Sequence, residues 1–126
     1  MTTFTKEQRQ AIIAKLNPIL REECVDAGWS IDRISEDSYL AAQRSVVSLG
    51  KTDNADIFAP TGDEFNCYLR SNYESQGSNV LSTTSFFFKW DITEEEFREK
   101  AKAYIRQVDK VINSTKMVRL HLEKNQ

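Results

Sequence analysis

Histidine occurs once, cysteine and proline twice each, and glycine four times in the 126 residues. Each scarcity removes a class of chemistry. One histidine, His121, and two cysteines, Cys24 and Cys67, are too few to close a structural zinc site within one chain. Within four positions of His121 the only carboxylate is Glu123 and there is no cysteine, so neither a helical two-histidine metal site nor a local catalytic constellation is available. The glycines at 28, 50, 62 and 77 stand singly, each suited to a turn, which rules out a P-loop and a dinucleotide-binding fingerprint. No catalytic set, metal or cofactor is expected from these counts.

Long apolar runs are also missing. Ala11–Ala14 and Phe86–Phe88 are far too short to span a bilayer, so no membrane association is expected. The first ten residues, Met1 to Gln10, hold no apolar core segment and no small-residue cleavage site, which makes a cytoplasmic location the expectation. There, Cys24 and Cys67 read as reduced, buried thiols.

The composition is that of one globular domain, with 40% hydrophobic and 29% charged residues in a chain long enough to bury its own core. Residues 1–126 show no internal repeat, low-complexity segment or linker, which is consistent with a single domain. The net charge is −2, but it is unevenly spread. Residues 1–97 hold nine Lys/Arg against sixteen Asp/Glu, a balance of −7, and residues 98–126 hold eight against three, a balance of +5. An acidic body thus carries a basic tail.

The expected fold class is α+β: an N-terminal helix, a small antiparallel sheet of three to four strands including a 64–73/79–91 hairpin, and a long C-terminal helix packed on the sheet. Thr5-Lys-Glu-Gln8 is a capping box that starts the first helix. Ile12, Ile13, Leu16, Ile19, Leu20 and Cys24 follow on one arc of about 140°. Pro18 interrupts this pattern and predicts a kink, or a restart capped by Asn17; Gly28 marks the end. Residues 29–34 suit a strand only weakly. Residues 39–49 read as strand or helix, and strand is preferred because three strands are more easily stable than an isolated hairpin. Lys51 to Asp56 is polar and reads as loop, leaving 56–59 as a short strand at most.

The second half is more regular. Phe65, Cys67, Leu69, Ser71 and Tyr73 alternate with polar neighbours, and Val80 to Asp91 returns as the second arm of a hairpin rich in β-branched and aromatic residues. Phe86, Phe88 and Trp90 share one face there, Phe87 and Lys89 the other. The last helix begins at Thr93-Glu-Glu-Glu96, a capping box flanked by the staple residues Ile92 and Phe97. Phe97, Ala101, Tyr104, Ile105, Val108, Val111 and Ile112 occupy an arc of about 120°. Whether 117–122 continue this helix is open from the sequence.

Three groups are candidates for function. Phe87, Lys89 and Trp90 form a partner-binding candidate, because three consecutive aromatics load both faces of one strand and the helices can cover only one. Arg98, Lys102, Arg106 and Lys110 recur every fourth residue, a stripe that could meet phosphates or an acidic partner alongside Lys116, Arg119 and Lys124. The competing account is a solvated face shaped by the helix dipole and by Glu94–Arg98 and Glu96–Lys100 pairs. Asp53, Asp56, Asp63 and Glu64 match no calcium-loop spacing and read as a solvated loop.

The leading expectation is a non-enzymatic binding module that docks on a protein, of inhibitor, immunity or adaptor type, with a homodimer as a further option. The second is a nucleic-acid-binding protein using the basic helix. The third is a small-ligand binder or enzyme with a pocket between sheet and helix lined by Tyr68, Arg70 and Tyr104.

Overall fold

The computed structural model describes residues 3–35, 38–48, 50–74, 80–82 and 86–124, with side chains at 48, 51, 80–82 and 114–124 left aside. The turn expected within 74–79 and strand positions 83–85 therefore fall largely outside the described residues, as do the side chains of Lys116, Arg119, His121 and Lys124.

Helix α1 spans Lys6–Asp26. Its start is the expected capping box: Gln8 N–H donates to Thr5 Oγ1 at 3.1 Å, and Thr5 N–H donates to Gln8 Oε1 at 2.8 Å. Its end is set by Gly28, which takes φ +91, a conformation that costs other residues a steric clash. With Gly28 turned this way, Trp29 N–H reaches back to Cys24 O at 2.9 Å and Gly28 N–H to Val25 O at 3.0 Å. Pro18 does not break the helix, which continues through it, and Asn17 is a buried interior residue rather than a new cap.

Among the described residues seven strands follow: β1 Leu40–Ser48, β2 Lys51–Phe58, β3 Thr61–Gly62, β4 Asn66–Leu69, β5 Ser71–Glu74, β6 Val80–Ser82 and β7 Phe86–Lys89. They divide into two antiparallel sheets, one ordered β1-β2-β5-β6 and the other β3-β4-β7. The expected hairpin is present, and its two arms run through both sheets. Cys67 faces Phe88 and Tyr68 faces Phe87 in the smaller sheet, whereas Tyr73 faces Leu81 and Asn72 faces Ser82 in the larger. The register moves by one residue between the halves. The strand preferred over helix for this stretch is β1, Leu40–Ser48, and the weak strand signal at 29–34 comes to a single bridge, Ser30 to Gln43.

The loop expected over 51–56 is instead most of β2. Its polar composition concealed an alternation in which Asp53, Ala55 and Ile57 are buried and Thr52 and Asn54 are exposed. Burial of Asp53 is compensated by the Tyr73 hydroxyl, which donates to its Oδ2 at 2.7 Å. A buried carboxylate needs such a partner.

Helix α2 spans Glu94–Lys124 without interruption at Asn113. Thr93 Oγ1 accepts from Glu96 N–H at 3.1 Å. Phe97, Ala101, Tyr104, Ile105, Val108 and Ile112 are all buried, as their arc predicts. Tyr104 meets Phe86 edge-on at 5.3 Å and Phe97 meets Phe88 at 5.3 Å, so the inward face of β7 is closed by α2. Asp109 accepts from Trp29 Nε1 at 3.1 Å and from Arg44 at 2.7 Å, tying α2 to β1 and to the segment after α1. One core joins α1, the strands and α2.

Candidate functional site

Strand alternation decides which aromatics of 86–90 are available to a partner. Phe88 is buried and Trp90 is 1% exposed; the indole Nε1 of Trp90 donates to Asp63 O at 2.7 Å. Trp90 therefore belongs to the interior, contrary to the expectation that it binds a partner, because period-two geometry places it with Phe86 and Phe88. Phe87 points the other way and is 66% exposed. Its ring leans on Tyr68 at 5.7 Å and 50°. Lys89, also exposed, faces Asn66 across the ladder, and Tyr68 in turn faces Thr61. Because β7 is the last strand of its sheet among the described residues, this aromatic pair borders a sheet edge, the feature through which sheets recruit further chains.

The four residues of the basic stripe have different surroundings. Arg98 Nη1 lies 2.9 Å from Glu23 Oε1 and 3.2 Å from Glu22 Oε1, both on α1, and these hydrogen bonds hold the guanidinium firmly charged, above its ordinary pKa. The expected Glu94–Arg98 pair is displaced by this tertiary one. Glu23 is buried, so Arg98 supplies the countercharge that its position requires. Lys102 lies 3.8 Å from Glu99, a loose surface pair. Arg106 and Lys110 are exposed, with no ion pair to the described residues.

The acidic residues are dispersed. Asp53 is buried, and burial also pushes Asp56 above the usual carboxylate range. Asp63 is held below it because Oδ1 accepts from the backbone N–H groups of Asn66 and Phe65. No cluster among the described residues could hold a metal ion. Tyr68 lies on the outer face of β4, whereas Tyr104 is buried against Phe86, so Tyr68, Arg70 and Tyr104 do not converge on one pocket. Burial pushes both thiols, Cys24 and Cys67, up to about 12. They stay protonated at neutral pH and are poor nucleophiles.

The sequence reading missed a groove of about 1260 Å³ beside α1. One wall is the helix stripe from Gln10 to Asp26; the other is built from Ile31, Ile34, Tyr39 and Pro60. Tyr39 stacks on Phe58 at 5.6 Å and 9° yet remains 72% exposed. Pro18 has no N–H to donate along the helix. Two buried side-chain atoms near it have no hydrogen-bond partner among the described residues. Asn17 is 7% exposed and its Oδ1 has no hydrogen-bond partner. Arg21 donates to Ser35 O at 2.7 Å and to Leu40 O at 3.0 Å, while its buried Nε has no acceptor. Each buried group left this way costs about 1–3 kcal/mol. No local sequence signal reveals the groove, because its walls come from segments separated by a helix end and a strand hairpin.

Comparison with protein-family models, curated proteins and solved structures finds no match for this chain. No helix among the described residues is long and apolar enough to cross a membrane.

Proposed function

We propose that this chain is a non-enzymatic binding module that docks on another protein, with the outer face of β4 and β7 as its contact surface. The observation that carries the reading is the Phe87–Tyr68 pair facing solvent beside a strand that ends its sheet among the described residues. A lone exposed phenylalanine is ordinary. A second ring beside it, an edge strand with no further neighbour among the described residues and Lys89 at the rim together make an aromatic anchor with a polar border, the usual composition of a protein contact. The acidic balance of residues 1–97 favours a basic partner surface. Engagement of Arg98 by Glu22 and Glu23 removes the first member of the stripe that a phosphate-binding reading needs.

The test is affinity capture from the native host with the wild-type chain and with Phe87→Asp, a substitution that the exposed site tolerates. A stoichiometric protein retained by the wild type, resistant to nuclease and lost with Phe87→Asp, is the expected result. Capture of nucleic acid, or a protein partner indifferent to Phe87→Asp, overturns it.

A further inference from the structure

The outer face of β4 and β7 carries a more specific statement, which rests on the protein-binding reading above. We infer that it receives an extended segment of the partner, lying along β7, in which an apolar side chain seated on Phe87 and Tyr68 is flanked two residues away on either side by carboxylates that meet Lys89 and Arg70.

The register of the strands orders this face. Tyr68 lies opposite Phe87, and Asn66 opposite Lys89. Burial alternates without a break along this stretch, with Cys67, Leu69, Ser71 and Tyr73 inside, so Arg70 shares the outward side with Tyr68. Along the strands the face reads Arg70, then the Tyr68–Phe87 pair, then Lys89, at steps of about 7 Å. An aromatic centre thus has a cation toward each end. Because β7 is the last strand of its sheet among the described residues, its outer backbone groups suit an extended chain. Such a chain repeats its side-chain direction at the same step, so alternate residues reach the three places in turn. Arg70 stands one strand further in than Lys89, and the length of an arginine and a glutamate together spans that extra width of about 5 Å.

Charge selects the carboxylates. Lys89 and Arg70 are exposed, with no ion pair among the described residues. No outward residue of β3, β4 or β7 is acidic. Asp63 stands in the turn between β3 and β4, where its Oδ1 accepts from Phe65 and Asn66 N–H, and Asp56 and Glu74 belong to the other sheet. Local charge here opposes the −7 balance of residues 1–97. The two act at different ranges: net charge steers the approach of a basic partner, and the groups in contact fix its register.

Two other occupants fit less well. A second copy meeting this face with its own would bring another Lys89 and Arg70 and no carboxylate. A nucleic acid could stack bases on the rings, but the acidic body repels its phosphates and the face offers only two cations, where phosphate-driven binding draws on several. A peptide segment needs only two carboxylates and can belong to a partner that is basic elsewhere.

The experiment is selection of a phage-displayed library of random peptides on the intact wild-type chain, followed by fluorescence anisotropy of the enriched peptides and of a single-stranded oligothymidylate. Enriched peptides should carry an apolar residue with Asp or Glu two positions away, and should bind more tightly than the oligonucleotide. Phe87→Ala should lower their affinity about tenfold, the loss of one good contact, and Lys89→Glu about fivefold. Both side chains are exposed, so an unchanged urea midpoint should accompany both losses. Changing the peptide's carboxylate to Lys should restore affinity for Lys89→Glu, a compensation that general damage to the fold does not give. Absence of enrichment, enriched peptides without acidic residues, or tighter binding of the oligonucleotide with the same dependence on Phe87 overturns the inference. If the enriched peptides are not acidic while Phe87→Asp still abolishes protein capture from the host, the inference falls and the protein-binding reading stands. If acidic peptides bind at Phe87 while that capture is indifferent to Phe87→Asp, this face as the site of the native partner falls instead.

Discussion

The two helices are built to different standards. Helix α2 shows a clean division: its apolar arc from Phe97 to Ile112 is buried, with Val111 half-buried. Helix α1 is mixed, burying Asn17 and Glu23 beside Leu16, Leu20 and Cys24, and holding Pro18 in its interior. Regularity marks the element that closes the core, and irregularity marks the one that borders the groove. Local rules are broken where an element serves something besides stability.

That contrast can be broken most forcefully on α2. Phe97 is fully buried against Phe88, so Phe97→Ala should lower unfolding free energy by about 3–5 kcal/mol, measured by urea denaturation. A loss below 1 kcal/mol, on the same scale as a surface substitution, would show that α2 is not the closing element. Pro18→Ala should act in the opposite direction. Its side chain is exposed and its ring removes a helical hydrogen bond, so the substitution should stabilise by about 2 kcal/mol. A destabilising result would mean that the proline packs productively and that α1 is as optimised as α2.

The smallest effect is on the alkaline side and comes from the thiol of α1. Cys24 is raised from 9.0 to about 12, first by burial and then by Asp109 and Glu23. Above pH 9.0 the unfolded chain gives up this proton while the folded chain keeps it, so stability falls as pH rises toward 12. One unit above the ordinary value the loss is about 1 kcal/mol from this group. Cys67, raised similarly by burial, adds its own share. Denaturation of wild type and Cys24→Ala at neutral and alkaline pH separates the two, and an identical pH dependence would remove Cys24 from the account.

Legibility in the sequence followed how local the deciding physics was. The capping box at Thr5, the Thr93 hydroxyl cap on Glu96 N–H and the helix end at Gly28 could be read because each cap is a bond between residues a few positions apart. The apolar arc of α2 could be read because the helical repeat converts spacing directly into a face. Strand β2 could not, since Asp53 looks like a loop residue until Tyr73, twenty positions on, is placed against it. The same limit applied to the candidate surfaces. Phe87 and Trp90 are equally aromatic in the sequence, and only the direction of the inward face, set by Tyr104 and Phe97 on α2, separates an exposed ring from a buried one. Arg98 looks in the sequence like part of a solvated stripe because its partners, Glu22 and Glu23, belong to the other helix.

The sequence by itself therefore determined the two helices, their caps and the hairpin, since short-range hydrogen bonds and side-chain periodicity suffice for these. Tertiary structure alone decided the division of the strands between two sheets, the burial of Asp53, the capture of Arg98 and the groove beside α1. Each of these depends on which distant residues meet, because a buried charge or an unpaired polar group can be judged only against the neighbours that folding brings to it.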